Sequence, residues 1–169
     1  MDATLAVLAV MASFGDMSLN YCDNGCFAPN PVESRLSVSA GSVVFLEEAI
    51  SEEVFLRYDF GVSYGPFQPA VGASMTSDGD VWAGAGFLWT GSFFDDSGYV
   101  QLSVMPGLWE RGDGPDLGHA IEFRSGIEIG YEARNGWRYG LSLDHRSNAG
   151  IGDLNPGVET LQLRLSIPM

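Results

Sequence analysis

The feature that most constrains this chain is strict alternation of apolar and polar residues, renewed in segment after segment. From Trp137 to Ser147, one row reads Trp137, Tyr139, Leu141, Leu143, His145, Ser147 and the other Arg138, Gly140, Ser142, Asp144, Arg146. The next segment repeats it, with Glu159, Leu161, Leu163, Leu165, Ile167 and Met169 against Thr160, Gln162, Arg164, Ser166 and Pro168. A period of two places alternate side chains on opposite faces of a β-strand. His145 and Ser147 close the apolar row of one strand, and Glu159 opens the apolar row of the next. Three polar side chains thus meet at one end of one greasy surface.

The same period recurs upstream, around Leu36–Ala40, Val54–Tyr64, Phe67–Met75, Val81–Trp89, Val100–Leu108 and Ile121–Tyr131, which makes eight candidate strands. Ser77-Asp78-Gly79-Asp80 and Asn135-Gly136 are hairpin signals between them. Residues 94–98, 111–118 and 148–157 read as longer loops. No stretch shows a capped 3.6-residue period, so the expected fold class is all-β.

Alternation alone fits a soluble sandwich or barrel with its apolar face inward. It fits equally a membrane barrel with that face outward to lipid. The polar row decides for the membrane. It is rich in Gly and Ser, as the crowded interior of a small barrel requires, and it carries charges of both signs: Arg57, Asp59, Glu122, Arg124, Glu128, Arg138, Asp144 and Arg164. Aromatic residues gather near the strand ends, where interfacial girdles lie. All basic residues are Arg and lysine is absent, unlike an ordinary soluble surface. The expectation is an eight-stranded antiparallel outer-membrane β-barrel over residues 35–169.

Ahead of it, residues 3–14 form an apolar run too short for a membrane-spanning helix and of signal-peptide length. We therefore expect residues 1–14 to be a signal-peptide remnant, with a short buried strand or helix as the alternative, and residues 15–34 a loop or N-terminal lead. Cys22 and Cys26 flank an Asn-Gly pair. A disulfide and two free thiols are both compatible with that spacing, and a zinc site lacks further ligands. The net charge of −14, with no basic patch, speaks against nucleic acid as a partner.

The run His145-Arg146-Ser147-Asn148-Ala149-Gly150, then Asn155-Pro156, then Glu159, resembles the PagL-type lipid A 3-O-deacylases. These are eight-stranded outer-membrane barrels that hydrolyse an ester-linked acyl chain of lipopolysaccharide. The resemblance implies Ser147 as nucleophile, His145 as base and Glu159 as the carboxylate that orients the base, a set that suits ester cleavage on chemical grounds too. Asn148 follows the nucleophile and is the expected oxyanion donor, through its amide or its backbone N–H. Arg146, by parity, points into the lumen. His119 has no serine motif beside it and is the weaker candidate for the base.

The resemblance further implies lipid A as substrate, outer-membrane lipid as surroundings, and no cofactor or metal. Monomer and homodimer are both compatible with it. With both termini on the periplasmic side, the 148–157 loop would be extracellular and the site would lie at the outer leaflet. The competing expectation is a non-catalytic small barrel serving adhesion or envelope stability, and a soluble barrel holding a lipid in its interior is a third.

Overall fold

The computed structural model describes residues 4–169. A helix α1 (Thr4–Asn20) comes first, followed by a short strand β1 (Pro29–Pro31). Then come β2 (Arg35–Phe45), β3 (Glu48–Asp59), a three-residue β4 (Val62–Tyr64), β5 (Gln68–Thr76) and β6 (Val81–Phe93). The chain ends with β7 (Gly98–Glu110), β8 (Ile121–Glu132), β9 (Arg138–Ser147) and β10 (Val158–Pro168). Strands β2, β3 and β5–β10 form a closed eight-stranded antiparallel barrel, sealed where β10 pairs with β2. Strands β1 and β4 pair with each other as a separate ribbon. Closure leaves no open edge, a requirement inside lipid, where no water can satisfy a free strand.

The faces are inverted relative to a soluble barrel, as the polar row predicts. Leu163 is 72 % exposed and Leu108 67 %, while Arg124 and Arg146 are each 1 % exposed. The lumen is filled rather than hollow. Trp82 is fully buried there, lying where a Cβ at Gly84 or Gly107 would collide with its ring at about 2.5 Å. These two glycines therefore make room for the indole.

Most of the remaining lumenal charges sit in compensated groups, whereas the buried Glu122 carboxylate has no hydrogen-bond partner among the described residues. Glu53 binds Arg124 at 2.8 Å and also Arg146. Arg124 reaches Asp144 at 3.1 Å and lies 4.0 Å over the Phe55 ring. Arg57 pairs with Asp59, and Arg164 with Glu128. Pairing and hydrogen bonding of this kind offset the cost of taking a charge out of water.

Two departures from the sequence expectation have physical causes. The stretch expected to be a single strand from Val54 to Tyr64 is divided. Its strand begins earlier, at Glu48, and ends at Asp59, while Val62–Tyr64 pairs with β1. The β2–β3 hairpin turns at Leu46 and Glu47, both at positive φ (50° and 70°). Those are the dihedrals of a tight primed turn, here without the Asn or Gly that normally announces one.

The second departure is α1. The helix continues through Asn20, six residues into the segment expected to be a loop or lead, and it packs on the outside of the barrel against β6, β7 and β8. Just after it, Cys22 and Cys26 are joined in a disulfide.

Candidate active site

Antiparallel pairing of β9 with β10 sets Glu159 directly opposite His145. Such cross-strand partners on one face lie about 5 Å apart at Cβ, close enough for the side chains to meet. They do: His145 Nδ1 is 3.1 Å from Glu159 Oε1. Pairing of β9 with β8 places Ser125 opposite the same histidine on its other side. One row across three strands therefore reads Ser125, His145, Glu159, all on the outer face. Ser147 follows His145 on that face two residues along, opposite Phe123.

His145, Ser147, Ser125 and Phe123 line one pocket of about 400 Å³, together with Val104, Ala149, Gly150, Asn155 and Pro156, and Ala6 from α1. A carboxylate on Nδ1 holds the imidazole in the tautomer whose Nε2 can accept a proton. No hydrogen bond joins Ser147 to His145 among the described residues. Contacts of this kind are commonly loose before substrate binds.

The 148–157 loop holds the pocket's rim. Asn148 is fully buried, and its amide Nδ2 donates to the carbonyls of Leu117 (2.8 Å) and Leu154 (2.7 Å). Its backbone N–H donates to Asn155 Oδ1 at 3.0 Å, and its Oδ1 accepts from the Gly150 N–H at 2.9 Å. Asn148, the expected oxyanion donor, is thus turned into its own loop. Both amide hydrogens and the backbone hydrogen are already engaged in tying the loop together. Asn155 is the residue that lines the pocket, with its Oδ1 fixed by Asn148 and its amide nitrogen at the other end of the same group. The motif contains Asn155, but only the folded loop shows which asparagine faces in.

Gly157 closes the rim beside the histidine. It has φ of +66°, and a Cβ there would stand 2.8 Å from His145 Cε1 and 3.4 Å from Nε2. Only glycine fits that approach and that backbone at once. Arg146, between the two outward residues, points into the lumen onto Glu53 and lies 4.7 Å over the Trp109 ring, as parity predicts. His119 accepts a hydrogen bond from the Ile121 N–H through Nδ1 at 2.9 Å and caps its own loop. Ser125 carries no sequence motif. Only the strand register brings it to the site.

Comparison with known proteins follows the same lines. The family model described as lipid A 3-O-deacylase (PagL) matches residues 50–168. Lipid A deacylase PagL of Bordetella bronchiseptica is 30 % identical over 120 residues, which cover 63 % of this chain. The match spans 65 % of that relative's length. Among solved structures, the outer membrane enzyme PagL superposes with a TM-score of 0.66 at 20 % identity, over 80 % of this chain and 99 % of the other. A de novo designed transmembrane β-barrel gives 0.59 at 10 % identity, over 83 % and 98 %. At those identities, the structural likenesses speak for the fold.

Proposed function

The chain belongs to the lipid A 3-O-deacylase (PagL) family, and from that membership we propose that it is an outer-membrane serine esterase removing a 3-O-linked acyl chain from lipid A. The observation that carries the reading is the His145–Glu159 pair on the apolar outer wall, sharing one pocket with Ser147. A charged carboxylate and an imidazole facing lipid make little sense as packing. They make good sense as the base of a nucleophilic serine.

In the reaction, Ser147 Oγ attacks the ester carbonyl while His145 Nε2 takes its proton, with Glu159 holding Nδ1 and stabilising the imidazolium that forms. The tetrahedral oxyanion is received by the Asn155 amide, in place of Asn148. The intermediate then breaks its bond to the sugar oxygen to leave an acyl-Ser147 ester, and the proton passes from His145 to that departing oxygen, which leaves as the sugar hydroxyl. Water repeats the cycle, releasing the fatty acid and restoring Ser147. No step requires a group beyond these side chains and water.

The location suits the substrate. A lipid embedded in the outer leaflet already has its acyl chains beside the barrel wall, so the ester slides laterally to Ser147 without leaving the membrane. Exposed Leu141, Leu161 and Tyr139 on the same wall lie against the neighbouring chains.

The test is the mass spectrum of lipid A from cells that express the protein or its Ser147→Ala variant, with barrel folding verified by heat-modifiable electrophoretic mobility. Loss of one hydroxyacyl chain with the wild type alone is expected. An unchanged mass with a folded wild-type barrel in the outer membrane would move the assignment to a non-catalytic envelope barrel. Full activity in Ser147→Ala would remove Ser147 as the nucleophile.

A further inference from the structure

Beside the base lies a second hydroxyl, that of Ser125, on the side of His145 away from Glu159. At the level of His145 the register sets Phe87, Val104, Ser125, His145, Glu159 and Val44 on successive strands around the wall. Three polar side chains stand together, with apolar neighbours at both ends. Along β8, Ser125 lies between Phe123 and Ile127 in the outward row. A serine offers lipid less apolar surface than any of these neighbours, on a face whose outward residues are otherwise apolar.

Four positions of β8 and β9 form a square on that face, since His145 is paired with Ser125 and Ser147 with Phe123. Cross-strand partners lie about 5 Å apart at Cβ and diagonal ones about 7–8 Å. Ser125 is therefore an immediate neighbour of the base and stands diagonally across from Ser147. That diagonal is long for a direct bond between the two hydroxyls. It is about what one water bridges, at about 2.8 Å for each O–H···O contact. All four side chains line the same pocket.

The second half of an ester hydrolysis sets a requirement that the first half does not. Once the acyl chain is on Ser147, a water must sit by its carbonyl carbon and within reach of His145 Nε2. In an otherwise apolar setting, such a water needs polar partners of its own. The imidazole supplies one. The Val104 and Phe123 side chains next to Ser125 supply none, and the Asn155 amide is engaged with the oxyanion.

We propose that Ser125 is a further catalytic residue, which holds the hydrolytic water against His145 for release of the acyl chain from Ser147. The proposal rests on the esterase reading above and takes its geometry from the β8–β9 register. The water oxygen attacks the acyl carbonyl carbon while one of its protons passes to His145 Nε2. Its other hydrogen is donated to Ser125 Oγ, which accepts it as a hydrogen bond and is itself unchanged. The tetrahedral intermediate then breaks its bond to Ser147 Oγ, which takes the proton back from His145, and the fatty acid leaves. Formation of the acyl-enzyme uses no water, so only the second half depends on Ser125.

The experiment uses the full chain folded in the outer membrane and then purified in detergent micelles, with the nitrophenyl ester of dodecanoic acid as substrate. Wild type, Ser125→Ala and Ser125→Thr are compared once heat-modifiable mobility shows each to be folded. Nitrophenol release is followed through the first turnover and the steady state, and intact mass reports an acyl adduct. Fluorophosphonate labelling with peptide mapping identifies the nucleophile separately. Ser125→Ala is expected to give a burst of nitrophenol and then a steady rate about tenfold below the wild type, the scale of one neutral hydrogen bond lost. KM falls with kcat, so kcat/KM, which reports acylation, keeps its wild-type value. The acyl adduct accumulates on the peptide that contains Ser147. Ser125→Thr, which retains a hydroxyl, retains the wild-type kcat.

Equal falls of kcat and kcat/KM in Ser125→Ala overturn the proposal, because they place the hydroxyl in acylation or in packing. So does an unchanged kcat, or a Ser125→Thr variant as slow as Ser125→Ala. A fluorophosphonate adduct on Ser125 in place of Ser147 makes Ser125 the nucleophile and overturns this role together with the assignment of Ser147. A folded wild type that is neither labelled nor active fails the esterase reading itself, and the water-holding role with it.

Discussion

On β9, four consecutive residues look alternately into two environments. Asp144 and Arg146 enter the lumen, where Arg124 and Glu53 meet them and the Trp109 ring lies beneath the Arg146 guanidinium. His145 and Ser147 emerge on the outer wall, where His145 meets Glu159 and shares a pocket with Ser147 rather than a network. Inside, most charged side chains are held in ion pairs and hold shape. Outside, a few polar groups line one pocket, and in the proposed reading they carry the chemistry. On the proposed reading, the difference separates structural from chemical polarity on a single strand, with one residue of register dividing them.

The sharpest way to break that distinction is at His145. His145→Ala is expected to reduce ester hydrolysis by about 10⁴-fold, the scale of losing one member of a unit that acts together. Thermal stability should change little, because the side chain has one charged partner at the rim rather than a lumenal set. Activity is read on a soluble ester in micelles and stability by the temperature at which heat-modifiable mobility is lost. A large drop in stability with retained turnover would make His145 a packing residue and erase the contrast.

The converse effect is expected in the lumen. Glu53→Ala removes the carboxylate shared by Arg124 and Arg146, leaving both cations buried at 1 % exposure. Stranding buried charges costs about 3–5 kcal/mol, measurable as a lower urea midpoint in refolding into lipid vesicles. Per folded molecule, hydrolysis should fall less than tenfold, through slack in the strand that carries His145. A loss as deep as that of His145→Ala, with unaltered stability, would place Glu53 in the chemistry.

The two faces were not equally legible beforehand. The inward face announces itself, since charges at alternate positions among Gly and Ser specify a lumen before any coordinates exist. The eight barrel strands follow from the same period, and Ser147, His145 and Glu159 converge from parity plus one loop. Asn148 shows where that logic ends. Residue type and adjacency favoured it as a donor to the oxyanion, but hydrogen-bond direction inside a folded loop is set by Leu117, from another loop, as well as by Leu154 and Asn155. Ser125 was invisible because it comes to the site only through the β8–β9 register. A helix was one reading of residues 3–14, but its extent to Asn20 was not legible, because the segment is apolar on all sides and lacks the amphipathic period that marks a helix at a water interface.

Gly157 offers the finest division between the two kinds of role, because it belongs to the loop by its backbone and to the site by its contact. Gly157→Ala introduces two costs. The first is a left-handed backbone at φ +66°, unfavourable for a residue with a Cβ by about 1 kcal/mol. The second is the new methyl 2.8 Å from His145 Cε1 and 3.2 Å from the Arg146 carbonyl, a distance at which the imidazole or the loop must yield. Gly79 sits in the β5–β6 turn at φ +79° with nothing within 4 Å of its missing Cβ, so Gly79→Ala carries the first cost alone. Both variants should lose a few degrees of melting temperature, in line with about 1 kcal/mol in a chain of this size. Only Gly157→Ala should lower kcat, by roughly tenfold, as a small displacement of the base from the nucleophile's proton would do, with KM little altered because Gly157 is not among the residues that line the pocket. Equal kcat in the two variants would show that Gly157 shapes the rim and leaves the imidazole free, and the base would then be positioned by Glu159 alone.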